Sequence, residues 1–318
     1  MKFPIRLFPE NTKIDFVDLR FIAFTVTSLL VVAAVVLLFV PGLNFGTDFK
    51  GGILIEARSN DAIDMGALRK NLDSLGVGGV EIQEFGSNKD VLIRMERQDG
   101  NEEAQNKAIA KVRETMGTSY DYRRVEVVGP RVGEELRHAA ILALGLAMLM
   151  IGAYVAFRFE WQFGVAAVIA TFHDVFVTVG LYALLGLEFD LTAVAALLTL
   201  AGYSLNDTVV VFDRIRENLR KHKNATLKTI INDAVNQTLS RTLMTSLTTL
   251  LAIVPLALFG GPALYGFAIA ITWGIVVGTF SSIYVAAALL LYMKPLRGIR
   301  SGIEKDAPAD DKAEEKTA

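Results

Sequence analysis

The sequence predicts an α-helical polytopic membrane protein carrying one small α+β domain between its first and second spans. Three observations predict this. The 318 residues are 52% hydrophobic with a mean hydropathy of +0.41, more apolar than an ordinary soluble domain. Apolar runs near bilayer length recur six times, a hydrocarbon core of about 30 Å needing about 20 residues. Between the first two runs, residues 53–128 switch to alternating and amphipathic patterns with ordinary polar content.

Taken in order, residues 1–20 form a short N-terminal segment with Lys2, Arg6, Lys13 and Arg20. Residues 21–40 run without a charge and predict the first span. A signal peptide would have an apolar core of roughly 7–15 residues and a small-residue cleavage site. Phe39-Val-Pro-Gly follows instead, so the helix is read as uncleaved. Gly46, Asp48, Phe49, Gly51 and Gly52 then sit in a Gly-Thr-Asp-Phe-Lys-Gly-Gly motif that marks a turn at the domain junction. Asp48 is read there as a turn or cap residue.

The intervening domain is assigned to 41–137. Within it the patterns predict a strand at 53–57, a helix at 61–75, strands at 80–85 and 91–95 around a turn, a helix at 102–116 and a strand at 120–128. The order βαββαβ is the ferredoxin-like signature, which hosts many functions and names none.

The apolar pattern returns over 138–295. The second span is placed at 139–157, the third at 163–185 and the fourth at 191–212, with Asp190 as a natural N-cap for the fourth. Residues 213–240 form a basic amphipathic connection. The fifth span follows at 243–259 and the sixth at 264–293, and 296–318 reads as a charged, disordered tail. The Lys/Arg excess lies in the N-terminus, the 158–161 break, the 213–240 loop and the C-terminus. That bias predicts both termini in the cytoplasm and 41–137 outside it.

Composition also excludes chemistry. With no cysteine, disulfides, thiol catalysis and Cys-ligated zinc are ruled out, and the three histidines form no metal motif. No Gly-x-x-x-x-Gly-Lys-Ser/Thr loop is present, which argues against an ATPase. A net charge of −2 argues neither for nor against nucleic acid, and no nucleic-acid partner is expected.

The candidate site lies among polar residues inside the spans. A carboxylate at membrane depth costs about 2.5 kcal/mol or more unless neutralised or paired. Asp207 lies about 8 Å inside Phe212 along a helix, on one face with Ser204 and Arg214 and with Asn206 beside it. In the third span Thr171, Asp174 and Thr178 form a stripe, with His173 adjacent; a proton relay and a structural role are equally open for that histidine. Successive helical residues diverge, so His173 and Asp174 are expected to face different neighbours. In the fifth span Gln237 or Thr238, Arg241, Thr245 and Thr248 or Thr249 line one face.

An Asp207–Arg241 pair is the distinctive expectation, because the fourth and fifth helices are antiparallel neighbours across one loop. An apolar setting favours the neutral acid and a nearby guanidinium favours the carboxylate. At about 4 Å and an effective dielectric near 20 the attraction is roughly 4 kcal/mol, so moving Arg241 would exchange a proton at Asp207. A membrane potential works on the same scale, about 2.3 kcal/mol per charge per 100 mV. A static interfacial ion pair, or Arg241 reaching lipid phosphate, is the plainer alternative, and Arg214 competes for Asp207. Ala270, Gly274 and Gly278 form a small-residue face suited to close packing with a second chain.

These residues resemble the SecD/SecF family, on its SecF side. The resemblance rests on the Gly46–Gly52 motif, on Phe-His-Asp-Val at 172–175, on the motif from Gly-Tyr-Ser-Leu-Asn-Asp to Ile-Arg-Glu-Asn at 202–218 that includes Asp213 and Arg214, and on Asn-Gln-Thr-Leu-Ser-Arg at 236–241. It spans about 14–295. It implies a subunit of the bacterial inner (cytoplasmic) membrane that pairs with SecD as a heterodimer, joins the SecYEG channel and the SecA ATPase, and uses the proton-motive force to complete preprotein translocation. It implies no cofactor beyond the proton gradient, similarity to the resistance-nodulation-division (RND) superfamily, and transport roles for Asp207 and Arg241. A small-molecule or lipid exporter and a non-transporting scaffold remain the rival readings.

Overall fold

In the computed structural model the described residues are 12–85, 87–98, 100 and 102–293. The N-terminal residues 1–11 and the tail assigned to 296–318 lie outside them. Helix α1 (Arg20–Phe39) is the first span. It leads to a two-residue strand β1 (Asn44–Phe45) and one helical turn α2 (Thr47–Lys50).

The α/β domain follows as β2 (Gly52–Ser59), α3 (Met65–Asp73), β3 (Val80–Phe85), β4 (Ser87–Met95), α4 (Glu102–Met116) and β5 (Tyr120–Val128). Its sheet order is β3-β4-β2-β5, with every pair antiparallel. Strand period two divides the faces: Ile53, Ile55, Val91, Ile93 and Met95 are buried with Leu72 of α3 and Val112 of α4, whereas Leu54, Leu92 and Arg94 occupy the other face. Asp64 caps α3, its carboxylate accepting from the amides of Gly66 and Ala67 at 2.9 and 3.0 Å, so the helix starts later than the pattern at 61–75 suggested. Strand β4 begins at Ser87, four residues earlier than read, because a tight hairpin pairs Phe85 with Ser87.

The membrane part holds α5 (Pro130–Arg158), α6 (Trp161–Leu185), α7 (Leu191–Lys221), α8 (Leu227–Phe259) and α9 (Pro262–Ser281), the last continued by a π-helical turn at Ser282–Ala286 and ending at Tyr292. Among the described residues six helices are long and apolar enough to cross a membrane. The helices outrun their apolar cores. The polar stretch 130–138 is already helical in α5, so the α/β domain ends at β5 and not at 137. Helices α7 and α8 carry through most of 213–240, leaving only 222–226 between them. Local polar contacts sustain these extensions: Asn218 donates to Gln237 at 3.2 Å, and Asn232 and Asn236 accept from the Phe16 and Ile14 amides at 2.8 and 2.9 Å. Those bonds lay the segment 12–19 along α8 and bury Phe16 and Val17.

Helices α6, α7 and α9 form the interior of the bundle, and α1, α5 and α8 leave most of their surface exposed. Close packing at the centre depends on missing side chains. A Cβ on Gly274 would fall inside the Leu200 side chain, and one on Gly278 would lie 3.3 Å from Ser204 Cβ. The Ala270/Gly274/Gly278 face is therefore filled by α7 of the same chain, which corrects the expectation that it receives a partner.

At the junction, β1 pairs in parallel with β6 (Glu188–Phe189), matching Asn44 to Glu188 and Phe45 to Phe189. Phe45, Phe49, Tyr182 and Phe189 close around it with ring centroids 5.5 to 6.2 Å apart. Residues of the Gly-Thr-Asp-Phe-Lys-Gly-Gly motif are thereby fixed to the α6–α7 turn.

Candidate functional site

Helix α7 carries the site because its buried face alternates large apolar residues with short polar ones. Leu200, Ser204, Asp207, Thr208 and Val211 are all buried on it. The helix starts with a double cap. Asp190 Oδ1 accepts from the Ala193 amide at 2.8 Å, and Asp48 Oδ2 accepts from the Leu191 amide at 3.0 Å. Asp48 is thus a cap residue, as its sequence context suggested, but for a helix more than a hundred positions away.

Two carboxylates meet the buried face from different sides. Asp174 of α6 is fully buried. Its Oδ2 accepts from Ser204 Oγ at 2.5 Å and its Oδ1 lies 2.9 Å from His173 Nδ1. The expectation that His173 and Asp174 face different helices is corrected: the imidazole is long enough to turn back across the offset between successive helical residues and reach the neighbouring carboxylate. The far nitrogen of the ring, Nε2, is buried without a hydrogen-bond partner among the described residues. Thr171 and Thr178 are also buried, but Thr178 Oγ1 returns to the Asp174 carbonyl at 2.8 Å and adds no link between helices.

Asp207 faces α8. Thr245 Oγ1 donates to its Oδ1 at 3.3 Å, and its Oδ2 is buried with no hydrogen-bond partner among the described residues. Of the polar face read in the fifth span, Thr245 alone reaches Asp207; Thr238, Thr248 and Thr249 hydrogen-bond to carbonyls of their own helix. Arg241 is exposed, and among the described residues no ion pair joins it to Asp207. The expected Asp207–Arg241 contact is therefore open in this structure. Arg214 does not compete: it pairs with Glu217 at 2.8 Å. Asp213 is exposed, 3.9 Å from Arg158. Asn206 points outward with Thr199 and Gly202.

Sequence reading missed a second polar layer. Thr208 Oγ1 meets Ser282 Oγ at 3.0 Å, where the π-helical turn in the last span places two serines side by side, and Ser246 Oγ meets Thr279 Oγ1 at 2.6 Å. Serine and threonine are common in membrane helices bonded to their own backbone, so no sequence signal singled these out. Among the described residues no group of His, Asp and Glu could hold a metal ion.

Fold and site together define a multi-pass helical membrane protein whose bundle interior holds two acidic groups, Asp174 of α6 and Asp207 of α7, beside serine and threonine side chains. The comparisons name the class more narrowly. Residues 108–295 match the family model for the C-terminal part of protein export membrane protein SecD/SecF, and residues 36–62 match the SecD/SecF GG motif. The chain is 45% identical to protein translocase subunit SecF of Cereibacter sphaeroides, covering 97% of each. It is 41% identical to that of Rickettsia rickettsii, covering 91% of this chain and 94% of the other. A crystal structure of SecDF from Thermus thermophilus, a translocon-associated membrane protein, superposes with a TM-score of 0.80 at 38% identity over 90% of this chain. The protein belongs to the SecD/SecF family and is of the SecF type. It spans 39% of that SecDF chain.

Proposed function

We propose that the chain is the SecF half of a SecD/SecF heterodimer in the bacterial inner membrane, coupling proton movement to the completion of preprotein translocation through SecYEG after the ATP-driven step of SecA. The single observation that carries the coupling role is Asp207: a carboxylate inside a membrane helix, with one oxygen held by Thr245 and the other unpartnered. A buried carboxylate left in that condition is costly unless it is neutral or waiting for a charge. Arg241 on the adjacent helix supplies such a charge by moving inward, and its retreat favours protonation. Ser204 and Asp174 extend the polar path toward α6.

In the same reading the α/β domain is ferredoxin-like and faces the periplasm, both termini are cytoplasmic, the proton gradient is the only energy source, and the chain has no ATPase of its own. The βαββαβ order and the Lys/Arg-rich loops support these placements. The pairing with SecD is supported by polar groups left at membrane depth on the outer surface, Asn206 and Arg241, which lipid cannot satisfy. The test is preprotein release in sealed vesicles containing SecYEG, SecA and the SecD/SecF pair, with and without a proton gradient. Asp207→Asn is expected to assemble normally, to leave the ATP-driven stage intact and to abolish the increment that the gradient adds. Full gradient stimulation in that variant would return the chain to a scaffold role.

A further inference from the structure

The α/β domain touches the membrane bundle through more than its two covalent connections. Arg94, on the sheet face turned away from α3 and α4, forms an ion pair with Glu188 in the α6–α7 turn. Glu188 is two residues before Asp190, the cap of α7. Both side chains are mostly covered, 16% and 25% exposed. The glycine motif makes room for the contact. A Cβ on Gly46 would sit 2.7 Å from Glu188 Oε1, and one on Gly52 would sit 2.7 Å from the Met95 carbonyl, next to Arg94. The Gly46 amide also donates to the Phe189 carbonyl at 2.9 Å.

Arg94 has a second carboxylate within its own domain. Glu81 of β3 is its cross-strand register partner, and facing residues of an antiparallel pair lie on the same side of the sheet. Burial pulls the Arg94 guanidinium below its usual range, while the charges of Glu81 and Asp190 pull it back up. A cavity of about 310 Å³ between Asn44, Glu81, Gln83, Leu92 and Arg94 leaves space beside the side chain, and Arg94 Nε is buried with no hydrogen-bond partner among the described residues. The guanidinium thus has one acceptor on the membrane side, another on the domain side, and room to pass between them.

We propose that Arg94 and Glu188 are positioning residues for the transport step: their ion pair latches the α/β domain to the start of α7, and transfer of Arg94 to Glu81 releases it. The helix whose first turn is latched is the one that carries Asp207, so domain position and the setting of Asp207 change together. Release leaves no bare charge on Arg94, because Glu81 replaces Glu188. This inference rests on Asp207 being the coupling carboxylate.

The test uses the full SecD/SecF complex in sealed vesicles with SecYEG, SecA and a signal-bearing preprotein. Arg94→Glu places like charges at the latch, and Arg94→Glu with Glu188→Arg and Glu81→Arg restores opposite charges at both the latched and the released position. The single variant is expected to lose about tenfold of the gradient-driven release rate and the triple variant to recover to within about twofold, with complex levels and the ATP-driven stage unchanged in both. Hydrogen exchange of amides 191–195 is expected to quicken in the single variant and return to the parental rate in the triple. If Arg94→Glu does not accumulate, the triple variant alone decides: parental release supports the latch and tenfold loss overturns it. Unchanged release in Arg94→Glu, beside loss in Asp207→Asn, overturns the latch and leaves the coupling role standing. Gradient stimulation surviving in Asp207→Asn overturns both.

Discussion

The two oxygens of Asp207 have different surroundings, and the difference predicts how substitutions behave. Thr245 holds Oδ1, and Oδ2 has no partner. Asn keeps the Thr245 bond and loses the titrating group, so Asp207→Asn is expected to behave as a clean uncoupler in the release assay. Thr245→Val removes the bond to Oδ1 and is expected to slow gradient-driven release by about tenfold or more without abolishing it, a hydrogen bond to a charged group being worth about 1.5–3 kcal/mol. Arg241 makes no contact with Asp207 in this structure, so Arg241→Lys is expected to retain part of the activity and Arg241→Ala none. The lysine keeps the charge and loses the planar fork. Equal activity of the Ala and parental proteins would show that the charge reaching Asp207 comes from elsewhere.

At the scale of elements, the packing of α7 against α9 and the capping of α7 are the sensitive points. Gly274 has Leu200 where its Cβ would be, and forcing extra atoms into a packed interior costs typically about 1–3 kcal/mol. Gly274→Leu is therefore expected to lower the thermal midpoint of the detergent-solubilised protein, and Gly274→Leu with Leu200→Ala to recover most of it. Failure of the second change to help would place the clash elsewhere. Asp48→Ala removes a bond to the first amide of α7 and is expected to cost about 1 kcal/mol, read as faster hydrogen exchange at Leu191 with α8 unchanged. The element boundaries were partly legible in sequence. Apolar runs marked the membrane-depth portion of each helix, and Asp190 marked the start of α7. The extensions of α5, α7 and α8 beyond the runs were not legible, because polar residues such as Asn218, Asn232 and Asn236 are as common in loops as on helix surfaces. In α7 and α8 those residues bond to positions far along the chain.

The whole molecule is an incomplete membrane object. Helices α1, α5 and α8 are largely exposed, which lipid tolerates, but Asn206 on α7 and Arg241 and Thr248 on α8 are exposed as well. The face formed by Ala195, Thr199, Gly202 and Asn206 is small and polar, the composition that lets membrane helices approach closely. This is where the SecD chain is expected to dock. The chain has no native cysteine, so single cysteines at Thr199, Gly202 and Asn206 can be probed without background. Labelling by a lipid-soluble maleimide is expected to fall at least several-fold when SecD is co-expressed, and labelling at Phe157, on the exposed end of α5, is expected to stay constant. Equal labelling of all four positions with and without SecD would place the interface on another face.

The sequence by itself determined the six spans, the α/β insertion with its strand and helix order, and the short list of polar and charged residues inside the spans. Hydropathy and period are properties of neighbouring residues, and the bilayer penalises charge so heavily that Asp174, Asp207 and Arg241 stand out with no structure in hand. Tertiary structure decided which of them meet. It turned His173 onto Asp174, joined Asp174 to Ser204, left Arg241 apart from Asp207, and filled the small-residue face of α9 from within the chain. It also brought Asp48 to the cap of α7 and Arg94 to Glu188. Such contacts join positions tens to more than a hundred residues apart, or depend on rotamer and helix rotation. A hydropathy pattern constrains the side of a helix that faces inward, and leaves open the neighbour waiting there.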